Sequence, residues 1–260
     1  MNIENIRELL ISGIVGRNLI YYETVKSTND LLFELADNNL EDGSVLIADT
    51  QTGGKGRLGR SWFSPKGVNL YFSVLLRPEV SPQNSAVFTF VASLALAETL
   101  DELNISCRIK WPNDILIGNK KVAGVLTEMK NDGNSLNFII IGIGLNINLS
   151  KELIDDNLKV ISDSVTSLSI ESGRNLNREE IAAKVIINLD KYYLKFINEG
   201  INSIVAEWVT RWGMLNENVS VKVDNEIING IARKVDTYGY LYIEDADGRL
   251  NKIIAGDLQN

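Results

Sequence analysis

Histidine is absent from all 260 residues of this chain. That absence excludes a Ser-His-Asp triad, a Cys-His dyad and any His-ligated metal. A metal, where one is used, must be a hard cation held by oxygens, with magnesium the leading candidate. Cysteine occurs once, as Cys107, which excludes an internal disulfide and a thiolate zinc site. No apolar run reaches the roughly 18–20 residues that a bilayer demands. The opening MNIENIRELL lacks the charged-then-apolar order of a secretory signal, so a cytoplasmic location is expected. The net charge of −8 weighs against general nucleic-acid binding. What remains is 45% hydrophobic and 23% charged, enough for a sizeable core in one large domain, or in a large and a small one.

The acidity is uneven. From Thr50 to Pro78 there is no acidic residue, yet Lys55, Arg57, Arg60, Lys66 and Arg77 all fall there. A cationic island in an anionic chain points to an anionic small-molecule ligand, the alternative being a plain solvated basic face.

Runs rich in β-branched and aromatic residues predict strands at Asn18–Thr24, Gly43–Asp49, Asn69–Leu76, Cys107–Trp111, Lys121–Lys130 and Leu136–Asn146. A helix should begin at Ser27 or Thr28, with Leu31, Leu32 and Leu35 on one face, and Pro82 should open a long one. Asn131 to Asn134 is a hairpin signal. Asn148 to Ser164 has weak periodicity and high charge, which predicts a mobile loop. Helices follow over Arg178 to Glu199 and Ile201 to Trp212, with Gly200 between them. Strands this closely spaced imply an α+β layer: a mixed, mainly antiparallel sheet with helices on one face. After Leu215, short strands at Val219–Val223, Ile227–Val235, Tyr240–Glu244 and Asn251–Ile254 are divided by turns at Asp224-Asn225, Asp236–Gly239 and Asp245–Gly248. That texture predicts a small SH3-like barrel. Its five basic and eight acidic residues give −3, a poor nucleic-acid module. The expected division is 1–214 and 215–260.

Gln51 to Trp62 reads QTGGKGRLGRSW. Gly54, Gly56 and Gly59 satisfy the dinucleotide fingerprint G-x-G-x-x-G, but that motif should open a helix. Here it runs through Trp62, Pro65 and Gly67 into another strand. A P-loop also fails, since no Gly-Lys-Ser/Thr closes the run. The segment is better read as a flexible loop carrying Lys55, Arg57 and Arg60, whose glycines let backbone N–H groups approach an anion. Such a loop can be disordered when empty and close over a reactive intermediate. Lys110 to Lys121 reads KWPNDILIGNKK. Pro112 forces Trp111 into an extended conformation and presents Asn113 and Asp114 at a turn.

GGKGRLGRSW, KWPNDILI, KKVAGVLTE and IGIGLNIN, in that order, resemble the biotin–protein ligase family over roughly Tyr22 to Asn148. KSTN at Lys26 to Asn29 looks like the family's biotin segment, and VTSL at Val165 to Leu168 is similar to its Ala-Thr-Ser-Leu element. The first basic loop position, usually Arg, is Lys55, which keeps the charge and loses the bidentate fork. Fewer than 20 residues precede the first strand, so the resemblance is to the monofunctional type, without the helix-turn-helix of repressor-type members and without regulation of an operator.

The resemblance implies a class II synthetase-like catalytic domain and two half-reactions. Biotin and ATP, with Mg2+, give biotinyl-5'-AMP, and a lysine of a biotin carboxyl carrier protein then displaces AMP. Ser27, Thr28, Asn29 and Gln51 would bind the ureido head of biotin, Thr28 serving alternatively as a helix cap. Lys55, Gly56 and Arg57 would close over the biotin carboxylate and α-phosphate, with Lys121 stabilising the same junction. Arg60, Trp62, Asn113 and Asn146 fall on the adenylate side, where Trp62 is either a stacking surface or a buried structural residue. Gly142 and Gly144 would admit close backbone approach to ligand. Asp114 would orient or deprotonate the incoming lysine. Family members often dimerise, and the edge strands of an open sheet offer a route. A lipoate–protein ligase and a non-catalytic anion- or partner-binding protein are the alternatives.

Overall fold

Seven strands form one twisted sheet in this computed structural model, which describes residues 1–10, 13–38, 40–223 and 226–258. After helix α1 (Ile3–Leu9) come β1 (Leu19–Val25), α2 (Thr28–Ala36), β2 (Val45–Gln51), β3 (Leu70–Leu76) and α3 (Val87–Glu102). Strands β4 (Arg108–Lys110), β5 (Asp114–Ile117), β6 (Lys120–Asp132) and β7 (Ser135–Leu145) follow. Their spatial order is β1-β2-β3-β7-β6-β5-β4. Only β1 and β2 run parallel among the described pairs, so the sheet is mixed and mainly antiparallel, as the strand spacing implies.

Alternation along the strands separates two apolar faces. Val45, Ile47, Phe72, Val74, Ile139 and Ile141 point into the main core with α3. The long helices α6 (Arg178–Glu199) and α7 (Ile201–Arg211) also lie on that side. Leu46, Leu75, Phe138 and Ile140 point the other way, against Leu32 and Ala36 of α2. The long helices therefore share a face, and the short α2 crosses the opposite one. Ser27 caps α2 by accepting from the Asp30 N–H at 3.4 Å, which makes Thr28 its first residue.

Several sequence expectations shift. Pro82 opens a single 3-10 turn, Pro82–Asn84, and the long helix starts at Val87. Asp114 begins strand β5 instead of sitting on a free turn, because its segment pairs with Arg108–Lys110 on one side and with β6 on the other. The region expected to be a mobile loop contains helix α4 (Lys151–Asn157), capped by the Ser150 hydroxyl on the Leu153 N–H at 3.3 Å. Helix α5 (Leu168–Ser172) starts on the last residue of the VTSL segment and is capped by Ser167 within it.

The C-terminal strands are β8 (Asn218–Val223), β9 (Glu226–Val235), β10 (Leu241–Glu244), β11 (Leu250–Ile253) and β12 (Asp257–Leu258). They pair antiparallel in the order β11-β10-β9-β8-β12, with β11 and β12 at the two ends among the described residues. In place of the expected small barrel there is a five-stranded antiparallel sheet, and no pairing among the described residues closes it. Its Asp224-Asn225 turn lies outside the described residues. Val219, Val221, Leu241 and Ile243 join the same apolar cluster as the main sheet. The Trp111 indole N–H donates to Gly239 O across this junction at 2.9 Å.

Candidate active site

A cavity of about 350 Å³ lies on the α2 side of the sheet, lined from β6, β7, the N-terminus of α2 and the glycine-rich loop. Every candidate residue drawn from the sequence lines it: Ser27, Thr28, Asn29, Gln51, Lys55, Gly56, Arg57, Arg60, Trp62, Asn113, Asp114, Lys121 and Asn146. They come from five separate segments of the chain, so the fold assembles what the motifs only hinted at.

Three glycines make the floor. Gly124 and Gly144 are register partners on β6 and β7, and Gly142 pairs with Leu126 in the next row. A Cβ on Gly144 would stand 2.4 Å from Trp62 Cε2, and one on Gly142 would stand 2.1 Å from Asn29 Oδ1. The gaps left by these glycines hold the chain's own Trp62 and Asn29, and both glycines still line the cavity. Gly144→Ala should push the Trp62 ring off the floor. The expected result is an altered tryptophan emission and impaired nucleotide use in a folded protein.

At one end the groups are polar and buried. Gln51 Oε1 accepts from the Thr28 N–H at 2.9 Å and lies 3.1 Å from Thr28 Oγ1. The Asn29 amide donates to Leu126 O at 3.2 Å and to Glu128 Oε2 at 2.7 Å. At the other end the groups are cationic. The Lys121 ammonium pairs with Asp114 Oδ1 at 2.6 Å and lies 5.2 Å from the centroid of the Trp62 ring. The register slips between Ile115 and Leu116, which leaves Val122 as an extra residue beside Lys121. Such a bulge re-aims the side chain next to it. Thr166 of the VTSL segment donates its N–H to Lys121 O at 3.0 Å and accepts from Asn146 Nδ2 at 3.0 Å, so that element braces the site. Asn146 Oδ1 accepts from Asn69 at 3.2 Å.

The loop is folded back on itself. Gly56 N–H donates to Arg60 O at 2.7 Å, and Trp62 N–H to Gly54 O at 2.8 Å. The Arg57 guanidinium donates to Asn113 Oδ1 at 3.3 Å and to Gly256 O at 3.5 Å. Burial pushes it below the usual arginine value, against the raising influence of Asp257 and Asp114. Asn113 is fixed in turn, its amide donating to Val125 O at 2.7 Å. Lys55 departs from expectation. Its ammonium contacts Asp30, with Glu128 at 3.7 Å, the same carboxylate that accepts from the Asn29 amide. The hydrogen bond to Asp30 is the largest cause holding its pKa above the ordinary value.

Sequence reasoning missed Asp257, which pairs with Arg60 across the cavity mouth from the small sheet. No local signal could have found a contact between residues so far apart in the chain. It also missed Leu158 and Ile161, apolar wall residues inside the presumed loop.

Residues 21–146 match the Biotin/lipoate A/B protein ligase family, and residues 214–259 match the Biotin protein ligase C terminal domain. The protein is therefore an enzyme of the ligase class. The "Bifunctional ligase/repressor BirA" of Bacillus subtilis (strain 168) is 34% identical over 255 residues, covering 98% of this chain and 77% of the relative. The "Biotin--[acetyl-CoA-carboxylase] ligase" of Mycobacterium tuberculosis is 30% identical over 258 residues, covering 96% of this chain and 92% of the relative. The solved structure of the biotin protein ligase from Aquifex aeolicus in complex with biotin and ATP superposes with a TM-score of 0.76 at 30% identity, covering 94% of this chain and 98% of that one. The chain belongs to the biotin protein ligase family.

Proposed function

We propose that this enzyme condenses biotin with ATP to biotinyl-5'-AMP and pyrophosphate, then transfers the biotinyl group to a lysine of a biotin carboxyl carrier domain. The observation that carries the reading is the polarity of the cavity, with the hydrogen-bonding groups of Ser27, Thr28, Asn29 and Gln51 at one end, where the Lys55 charge is matched by Asp30 and Glu128, and the Lys121 and Arg57 cations at the other. A cyclic urea fits the first end, and the junction of a carboxylate and a phosphate fits the second. A dithiolane ring offers no N–H or C=O to the polar end, which disfavours the lipoate alternative.

The nucleophile of the first half-reaction is the substrate carboxylate, so the enzyme needs no nucleophile of its own. Two anions must meet, and the barrier falls when their charge is neutralised by groups already in place. Ser27, Thr28, Asn29 and Gln51 hold the urea. Lys121 and Arg57 meet the carboxylate and α-phosphate with the backbone of Gly56, and Lys55 joins them by leaving Asp30. Arg60, Trp62, Asn113 and Asn146 take the adenylate side, where the Asn146 amide keeps one N–H and one lone pair for a ligand. Asp114, paired with Lys121, orients the incoming lysine.

Among the described residues no group of three or more His, Cys, Asp or Glu could hold a metal ion. The cavity carboxylates Asp114 and Asp257 are each tied to a cation. The residues therefore do not fit a dedicated magnesium cage, and an ion would be held through triphosphate oxygens.

In this reading residues 1–214 form the catalytic unit and 215–260 the small sheet that closes its nucleotide side, and the enzyme acts in the cytoplasm. No helix among the described residues is long and apolar enough to cross a membrane. Strands β1 and β4 end the main sheet; the outer side of β4 is bridged at Ile109 by Trp212, so β1 offers the edge for a homodimer. The test is mass spectrometry of a carrier domain after incubation with enzyme, ATP, magnesium and either biotin or lipoic acid. A gain of one biotinyl group supports the reading; a gain with lipoic acid only, or with neither, overturns it.

A further inference from the structure

We infer that Ser73, which does not touch the cavity, is a positioning residue that sets the hydrogen-bond polarity of the head-group end and so selects a cyclic urea; this rests on the biotin reading above.

Ser73 is fully buried in the middle of β3. Its neighbour in the next strand is Gly142, and Gly142 is in turn opposite Leu126. The Asn29 side chain lies across this row: Ser73 Oγ is 2.6 Å from Asn29 Oδ1, Gly142 leaves the room, and Leu126 O takes an amide proton at 3.2 Å. The second amide proton goes to Glu128 at 2.7 Å. Both Asn29 protons are thus spent inside the protein, and its oxygen has to face Ser73.

A serine hydroxyl carries one proton, and an amide oxygen can only accept. Ser73 Oγ is placed to donate to Asn29 Oδ1 at 2.6 Å and to Thr28 Oγ1 at 2.8 Å, and it shares its one proton between them. The Thr28 hydroxyl in turn donates to Gln51 Oε1 at 3.1 Å, beside the Thr28 backbone N–H. Neither Thr28 nor Asn29 therefore keeps a proton for the cavity. Each presents lone pairs only. Ser27 is the opposite case: its oxygen accepts the Asp30 N–H, which leaves its hydroxyl proton to donate. Two acceptors complement the two N–H groups of a cyclic urea, and the Ser27 hydroxyl, with the Gln51 N–H left after its bond to Ser64, faces its one carbonyl. A chain of aligned hydroxyls is also mutually reinforcing in a dry interior.

The test is biotin-dependent exchange of pyrophosphate into ATP, measured for the unmodified enzyme, Ser73→Ala and Ser73→Cys. Ser73→Ala should raise the KM for biotin about tenfold, the effect of one lost hydrogen bond in a buried network. The KM for ATP and kcat should stay within about twofold, and the weak thiol donor of Ser73→Cys should restore part of the loss. Desthiobiotin, which keeps the urea and lacks the thioether ring, should weaken by the same factor as biotin. An unchanged biotin KM, an equal rise in both KM values, or a desthiobiotin response unlike that of biotin would overturn the assignment of Ser73. Absence of any biotin-dependent exchange in the unmodified enzyme would overturn the reading beneath it instead.

Discussion

Lys121→Ala should remain folded and lose biotin-dependent pyrophosphate exchange by about 10²–10³-fold, the range seen when one preorganised charge-stabilising donor is removed from an active site. Lys121 is only partly exposed and rests over Gly124, beside Trp62 and Asp114. Its loss would withdraw the positive charge from the proposed carboxylate–phosphate junction and leave Asp114 without its partner. Lys121→Arg should not rescue fully, because a planar fork replaces a compact ammonium in a slot measured for the latter. Retention of near-normal exchange by Lys121→Ala would remove this residue from the chemistry.

Arg57→Gly should fail in a different way. The guanidinium is held by Asn113 and by Gly256 O of the C-terminal segment, so it connects loop, sheet and small sheet at once. Removing it should leave adenylate formation measurable while the intermediate escapes, since a reactive mixed anhydride survives only where water is excluded. Release of biotinyl-adenylate, followed as non-specific labelling of added bystander protein, should rise by about 10-fold or more over the unmodified enzyme, the effect of losing hydrogen bonds to a charged group. Bystander labelling at the unmodified level would end the loop-seal proposal.

The site was legible because its residues cluster in short motifs, and the loop, the Lys-Trp-Pro-Asn-Asp run and the IGIGLN strand each carry their own punctuation. Less visible were features decided by long-range packing. Strand β5 hides inside a Pro-Asn-Asp that reads as a turn; neighbours on both sides make it a strand. Helix α4 has seven residues, too few for a periodic signal against its charge. The crossing of α2 to the far face depends on which alternation of β2, β3 and β7 it meets, and both alternations are apolar. Ser73 sits alone in an apolar strand and acquires meaning only from Thr28 and Asn29 above it. Lys55 was placed by charge, yet its rotamer follows Asp30 and Glu128, which no loop motif contains.

The bond from Trp111 to Gly239 O has a practical corollary. Trp111 is 1% exposed, and it immediately follows Lys110 in the segment that carries Asn113 and Asp114. Phe90 stacks on Trp208 at 4.4 Å, and Trp208 on Trp212 at 5.7 Å, in the same cluster as the small sheet. Ending the chain before Leu215 would remove the acceptor of the Trp111 N–H and uncover that aromatic column, leaving apolar surface in water. Trimming this chain to its larger sheet should therefore yield a poorly folded protein rather than a minimal enzyme, which a comparison of thermal unfolding for residues 1–214 and the full chain would check.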